Sequence, residues 1–204
     1  MEARLKQTLP GTAGHERMLA RVKAMPVTIP DNARPSAVMA LIFPDSDGLR
    51  LLFIKRTEDG RAHSGQISFP GGKQDPTDAD LRATALREAQ EEVGILSSEV
   101  RFLGQLTPLY IPVSNFHVYP FVAFAGKRPD YFLSANEVER IIEVPVADLL
   151  NEEMKTVAKV TSPADPSFVR KVNAYRLPDG AIIWGATAMI LSELELILAE
   201  YYGR

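Results

Sequence analysis

The sequence predicts an α/β protein, a mixed sheet with helices packed on its faces. Three observations point there. Strand-like segments outnumber helical ones. The helical segments stand at both ends and in the middle of the chain. The 204 residues are 46% hydrophobic and 24% charged, which suits one soluble globular fold and not disorder, collagen or a coiled coil. A chain this long buries roughly 70% of its unfolded surface, so one core suffices without covalent staples. No internal repeat, low-complexity tract or domain boundary interrupts it.

The elements follow in order. Residues 14–24 read as a short amphipathic helix ended by Pro26. Three prolines (Pro26, Pro30, Pro35) make 26–35 an extended connector. The longest apolar run, Ala37 to Phe43, suits a buried strand. Ser36 to Phe43 and Leu49 to Lys55 form a hairpin through Asp45-Ser46-Asp47-Gly48. Residues 57–80, rich in Gly, Asp, Ser and Pro, read as a long loop, and long loops in compact domains are usually functional. Leu81 to Val93 is a clear helix, with Asp78 or Asp80 as its N-cap and Gly94 as a left-handed C-cap. Strands are expected at 100–109, 117–124, 140–144, 154–160, 170–177 and 181–184, with a helical turn at 146–151. An apolar helix over 186–201 closes the fold, entered through the junction Trp184-Gly185-Ala186-Thr187.

Composition narrows the function. There are no cysteines, which excludes disulfides, thiolate metal sites and cysteine nucleophiles. The net charge is −3, so no global positive field recruits nucleic acid or an anionic membrane. No segment approaches the ~18 apolar residues that span a bilayer. Met1-Glu2-Ala3-Arg4 lacks the apolar stretch of a signal peptide, and Tyr202-Gly203-Arg204 is no peroxisomal address. A cytoplasmic protein is the expectation.

The chemistry concentrates in Phe69-Pro70-Gly71-Gly72 and Arg87-Glu88-Ala89-Gln90-Glu91-Glu92-Val93-Gly94-Ile95. At 100° per residue, Glu88, Glu91 and Glu92 share one helix face, while Leu86, Ala89 and Val93 cluster on roughly the other and bury against the sheet. Three carboxylates at this spacing repel one another, and a cation offsets that. Hard oxygen ligands point to Mg²⁺ or Mn²⁺. Magnesium is usually held by one or two carboxylates plus substrate phosphates, so the pattern indicates phosphate chemistry. Arg87 stands four residues before Glu91 and can pin it. The glycines of the turn let backbone approach a ligand or offer a carbonyl to a metal. A solvated acidic helix face accounts for the glutamates alone but leaves the Pro-Gly-Gly turn unexplained.

These residues resemble the Nudix hydrolase signature, G-x5-E-x7-R-E-U-x-E-E-x-G-U with U a bulky aliphatic. Gly72, Arg87, Glu88, Glu91, Glu92, Gly94 and Ile95 match, and Ala89 stands at the first aliphatic place. Asp78 occupies the place of the first Glu, with eight residues instead of seven before Arg87, so its role departs from the pattern. A second motif, L-L-T-x-R-[SA]-x3-R-x3-G-x3-F-P-G-G, resembles the coenzyme A pyrophosphatase subgroup. Leu52, Arg56, Arg61, Gly65 and Phe69 to Gly72 match it, while Phe53, Ile54 and Thr57 depart mildly.

The resemblance implies one Nudix hydrolase domain over 1–204, an α/β/α sandwich with an N-terminal helix and connector over 1–35 and the box over 72–95. It implies metal-dependent hydrolysis of the pyrophosphate of coenzyme A to 4′-phosphopantetheine and 3′,5′-ADP. Glu88, Glu91 and Glu92 would hold Mg²⁺ or Mn²⁺, with Arg87 among the catalytic residues. Arg56, Arg61, Gly71 and Gly72 would meet the substrate. The basic residues Arg56 and Arg61 suit the pyrophosphate and 3′-phosphate of such a molecule. The partner is therefore a small coenzyme A-type nucleotide, with no nucleic acid and no membrane, and a homodimer is left open. Family members often draw a further carboxylate from a downstream loop, and Glu137, Glu139 and Glu143 are the candidates. Other substrates of the same plan, such as ADP-ribose or NADH, and a non-catalytic nucleotide-binding module are the competing readings. Lys55, His63 and Lys73 read as an ordinary charged loop, the strand histidine His117 reads as structural, and Ser64 and Ser68 have no triad partners.

Overall fold

The computed structural model describes residues 1–19, 28–60, 63–162 and 165–203. The chain starts with two short helices, α1 (Glu2–Leu5) and α2 (Thr12–Glu16). The helix expected over 14–24 is therefore displaced and shorter, where described. The Arg17 carbonyl accepts from Asn173 Nδ2 at 3.0 Å, which takes an acceptor that a continuing helix would use. Residues 20–27, on which the rest of that expected helix and the start of the expected connector fall, lie outside the described residues.

The hairpin forms as expected, from β1 (Arg34–Asp45) and β2 (Gly48–Arg56). Their register pairs Ile42 with Leu51 and Asp45 with Gly48. The expected loop 57–80 holds two short strands, β3 (Ile67–Ser68) and β4 (Gly71–Lys73). Gly-Gly-Lys has no intrinsic strand preference, and pairing of Gly72 with Ala37 of β1 makes it one. Helix α3 spans Leu81–Val93 as expected. Asp80 caps it by accepting from the Ala83 amide at 2.8 Å, and Gly94 ends it at φ 78°.

The strand expected over 100–109 divides into β5 (Val100–Gln105) and β6 (Leu109–Ile111). A register shift falls at Phe102/Gly104, and Pro108 lacks the amide that would continue the ladder. Then come β7 (Phe116–Ala125), β8 (Val138–Pro145), α4 (Val146–Leu149), β9 (Lys155–Ser162), β10 (Asp165–Arg176), β11 (Ile182–Trp184) and α5 (Gly185–Tyr202).

The main sheet runs β3-β2-β1-β7-β5, with β4 on β1, β6 on β7 and β8 on β2. β1 and β7 are parallel, and the other pairings are antiparallel. The sheet is thus mixed, as the sequence predicts. Period-two alternation sends its side chains to two cores. Met39, Leu41 and Phe43 of β1 and Leu52 and Ile54 of β2 pack with Ala85, Ala89 and Val93 of α3. Ala40, Ile42, Leu51 and Phe53 face the other way and pack with Leu191, Leu194 and Leu198 of α5. The result is an α/β/α sandwich, with β9, β10 and β11 forming a separate antiparallel sheet. Among the described residues, no helix is long and apolar enough to cross a membrane.

Candidate active site

Helix α3 lies on the sheet with Ala85, Ala89 and Val93 inward, which sets Glu88 and Glu92 against β4. Glu92 is only 1% exposed. Its Oε1 accepts from Arg56 Nη1 at 2.9 Å, and its Oε2 accepts from the Gly71 amide at 2.8 Å. Burial pushes its carboxyl up to about 7, against the hydrogen bond from Gly71 and the charge of Arg56, while Glu88 and Glu137 add to the rise. Glu88 is 16% exposed on its side chain and pairs with Arg87 Nη2 at 2.9 Å. Burial raises its carboxyl as well. Glu91 differs from both, since its side chain is 58% exposed and meets Arg87 Nη1 at 2.9 Å. The pin from Arg87 to Glu91 is as the helical spacing suggests.

The glycine turn makes this geometry possible. Gly71 has φ 149°, and a Cβ there would lie 2.3 Å from the Ala37 carbonyl oxygen. A Cβ on Gly72 would lie 2.4 Å from Glu88 Oε2. Only glycine lets β4 pass so close to both β1 and the carboxylates of α3. The glycines thus meet the acidic residues directly, a contact that the motif spacing does not reveal.

Asp78, whose role the sequence left open, locks Arg87. Its two oxygens accept from Arg87 Nε and Nη2, and its Oδ2 also accepts from Thr84 Oγ1 at 2.9 Å. The Arg87 fork holds the Asp78 carboxyl down to about 2. Arg87 further donates to the Lys73 carbonyl at 3.0 Å. One guanidinium therefore ties the loop before α3, strand β4 and two of the three glutamates together.

The loop after β7 closes the other end of α3. Phe132 and Ser134 amides donate to the carbonyls of Val93 and Glu92 at 3.0 Å each, which satisfies acceptors that the helix leaves open. This carries Glu137 to the site. The charge of Glu137 raises both Glu88 and Glu92, and its carbonyl accepts from the Thr57 amide. Of the other downstream candidates, Glu139 pairs with Lys55 at 2.8 Å and Glu143 with Arg128 at 2.9 Å. Arg61 lies outside the described residues. His117 meets the Tyr119 hydroxyl through Nδ1 at 3.1 Å, in the same strand.

A family model, the NUDIX domain, matches residues 33–164. The chain belongs to the Nudix family. An uncharacterized Nudix hydrolase, NudL, of Yersinia pestis (strain Pestoides F) is 43% identical over 101 residues, half of this chain and half of that protein. NudL of Yersinia pseudotuberculosis serotype O:3 (strain YPIII) matches equally. The chain spans about half the length of the curated relatives it matches. Among solved structures, a Nudix hydrolase from M. smegmatis, RenU, aligns with a TM-score of 0.54 at 13% identity, over 82% of this chain and 87% of that one. A MutT/nudix family protein from Enterococcus faecalis aligns with a TM-score of 0.51 at 13% identity, over 86% and 65%. At such identity these two show the shared fold alone.

Nudix hydrolases generally use Mg²⁺ or Mn²⁺. Among the described residues, no three acidic or histidine side chains already converge as a finished metal cage. The donor set nevertheless fits a hard divalent ion. Glu92 is a buried carboxylate and Glu88 a half-buried one, side by side on one helix, each partnered by a guanidinium that supplies positive charge. Magnesium takes only one or two protein carboxylates where substrate phosphates complete its shell. The absence of a Cβ at Gly72 leaves the Glu88 carboxylate its place.

Proposed function

We propose that this Nudix protein is a metal-dependent diphosphatase that cleaves the pyrophosphate bond of coenzyme A or its derivatives, giving 4′-phosphopantetheine and 3′,5′-ADP. The observation that carries the reading is the Arg56–Glu92 ion pair at 2.9 Å. It joins the motif resembling coenzyme A pyrophosphatases to the acidic helix, in one place, from residues 36 positions apart in sequence.

In this reading Glu88 and Glu92 hold Mg²⁺ or Mn²⁺ from the buried side, and Glu91 supports them from the rim. The bound ion supplies positive charge against the diphosphate and makes water a better acid. Arg87, fixed by Asp78, keeps Glu88 and Glu91 in place. Glu137 is the base, its carboxylate taking the proton of the attacking water. Arg56, and Arg61 of the same sequence motif, grip phosphate oxygens, for which a guanidinium fork is well shaped. Gly71 and Gly72 let the diphosphate approach the backbone. Positioning and electrostatics supply most of the catalysis in phosphoryl transfer.

The test is product identification after incubation with coenzyme A and Mn²⁺, beside ADP-ribose and NADH. Release of 4′-phosphopantetheine and 3′,5′-ADP is the expected result. Faster turnover of ADP-ribose overturns the substrate assignment. Binding without hydrolysis, with Mn²⁺ and with chelator alike, overturns the enzyme.

A further inference from the structure

Arg56 is the last residue of β2, where the register with β8 shifts. Its backbone amide donates to the Gln66 carbonyl at 3.0 Å, which fixes its Cα. Its side chain is 31% exposed and reaches inward to Glu92. A buried carboxylate without a partner is costly, and Arg56 is the cation that meets this one. Any divalent ion that takes Glu92 as a ligand must approach a carboxylate already neutralised by a guanidinium, and the two positive charges repel.

Arg87 stands in a different situation. Its guanidinium is held by the Asp78 fork, by Glu91 and by the Lys73 carbonyl as well as by Glu88. It cannot leave without breaking all of these. Among the described residues Arg56 makes one side-chain ion pair, from a rim that solvent reaches, so it is the guanidinium that can move.

We propose that Arg56 is a built-in counter-ion which competes with the divalent cation for Glu92, and that a substrate phosphate draws it off. This deepens the diphosphatase reading and rests on Glu92 being a metal ligand. A phosphate offers the guanidinium a better fork than a half-occupied carboxylate does. Phosphate binding then clears Glu92 for the cation, and cation binding frees Arg56 for phosphate. By linkage each ligand strengthens the other by the same factor. The site thereby favours loading with metal and phosphate together over metal alone.

The test measures Mn²⁺ alone on the whole chain, by electron paramagnetic resonance of the free ion, for the unaltered protein, Arg56→Gln and Glu92→Gln. Arg56→Gln is expected to tighten Mn²⁺ at least about fivefold, the low end of ordinary coupling. Damage to the fold would weaken it instead. The metal-free melting temperature of Arg56→Gln should fall, and its rise on adding Mn²⁺ should exceed that of the unaltered protein. Inorganic phosphate should tighten Mn²⁺ more in the unaltered protein than in Arg56→Gln; chelation by free phosphate is equal in both and cancels. Arg56→Lys, which keeps the charge, should bind Mn²⁺ nearly as the unaltered protein does; if Arg56→Gln fails to fold, the phosphate measurement on the unaltered protein decides, and no tightening of Mn²⁺ by phosphate there overturns the competition. Unchanged or weaker Mn²⁺ binding in Arg56→Gln, with Glu92→Gln weakened, overturns the competition alone. Glu92→Gln binding Mn²⁺ as tightly as the unaltered chain overturns the metal role of Glu92 and the competition with it.

Discussion

The carboxylate of Asp78 accepts from Arg87 twice, Nε to Oδ1 at 3.0 Å and Nη2 to Oδ2 at 3.1 Å. The Asp78 side chain is only 5% exposed against 28% for Arg87, so the carboxylate end of this fork is shielded from water. It also explains the irregular spacing before Arg87. An aspartate carried on a turn, with the Asp75 amide donating to it at 2.9 Å, reaches Arg87 across a spacing one residue longer than the signature's.

Asp78→Asn should therefore destabilise the fold by about 1–3 kcal/mol, the usual cost of losing a hydrogen bond to a charged group. The folded value, near 2, lies below the ordinary 3.8. The contribution is present above about pH 3.8 and is lost as the pH falls toward 2. Urea unfolding at pH 7 and pH 3 checks this, with the gap between variant and unaltered protein narrowing at the lower pH. Turnover should also fall, because Arg87 no longer fixes Glu88. Equal stability at pH 7 would show that the fork contributes nothing.

Glu92→Gln and Glu88→Gln should each lower kcat by about a hundredfold or more, the scale seen when one charge-stabilising group is lost. The fold should survive, since both side chains keep their shape and the apolar face of α3 is untouched. Circular dichroism and turnover on coenzyme A with Mn²⁺ measure the two effects separately. Retained activity in Glu92→Gln would refute its metal role. Glu137→Gln should lower kcat with little change in Mn²⁺ affinity, as a base does and a ligand does not.

Local signals marked some elements well and others poorly. Helix α3 carries its own start and stop, in Asp80 and Gly94, and the β1–β2 hairpin carries its own turn, so both are where the sequence predicts. The acidic trio is different. Helical spacing placed three glutamates on one face, but the close approach of β4 buries Glu92, half-buries Glu88 and leaves Glu91 exposed. That approach depends on β4, whose Gly-Gly-Lys has no strand signal of its own. The partners of Asp78, Arg56 and Glu137 are set by tertiary contacts, which periodicity does not encode. Buried acids in α5 are the clearest omission. An apolar-rich helix gave no reason to expect Glu193 and Glu195 inside, and their partners lie as much as 182 positions away.

The two turn glycines should respond to alanine in opposite ways. Gly71→Ala places a Cβ against the Ala37 backbone, at a φ that side chains rarely adopt, and should destabilise by about 1–3 kcal/mol or more. Gly72→Ala meets only the end of the Glu88 side chain. It should melt near the unaltered protein yet lose turnover, because Glu88 is pushed from its place. Thermal melts beside activity on coenzyme A distinguish them. Full activity in Gly72→Ala would mean that the position of Glu88 does not matter.

Glu193 offers a test of what holds the N-terminal segment to the fold. It is fully buried in α5. Its Oε1 accepts from the Gly11 amide at 3.0 Å and Thr107 Oγ1 at 2.6 Å, and its Oε2 from the Thr107 amide at 3.1 Å and His15 Nε2 at 3.1 Å. Burial alone would raise this carboxyl, but the hydrogen bonds from His15 and Thr107 outweigh it and hold it below the ordinary 4.5. Glu193→Gln turns an amide NH₂ toward donors that need an acceptor, and should cost about 3 kcal/mol. The depressed value means that the stabilisation is present above about pH 4.5 and fades as the pH drops below it. Hydrogen exchange should show the loss first in α2 and the segment leading to β6, both of which this carboxylate holds, while α3 and the β1–β2 hairpin keep their protection. Uniform loss of protection across both faces of the sheet would mean that Glu193 supports the whole core and not the N-terminal segment in particular.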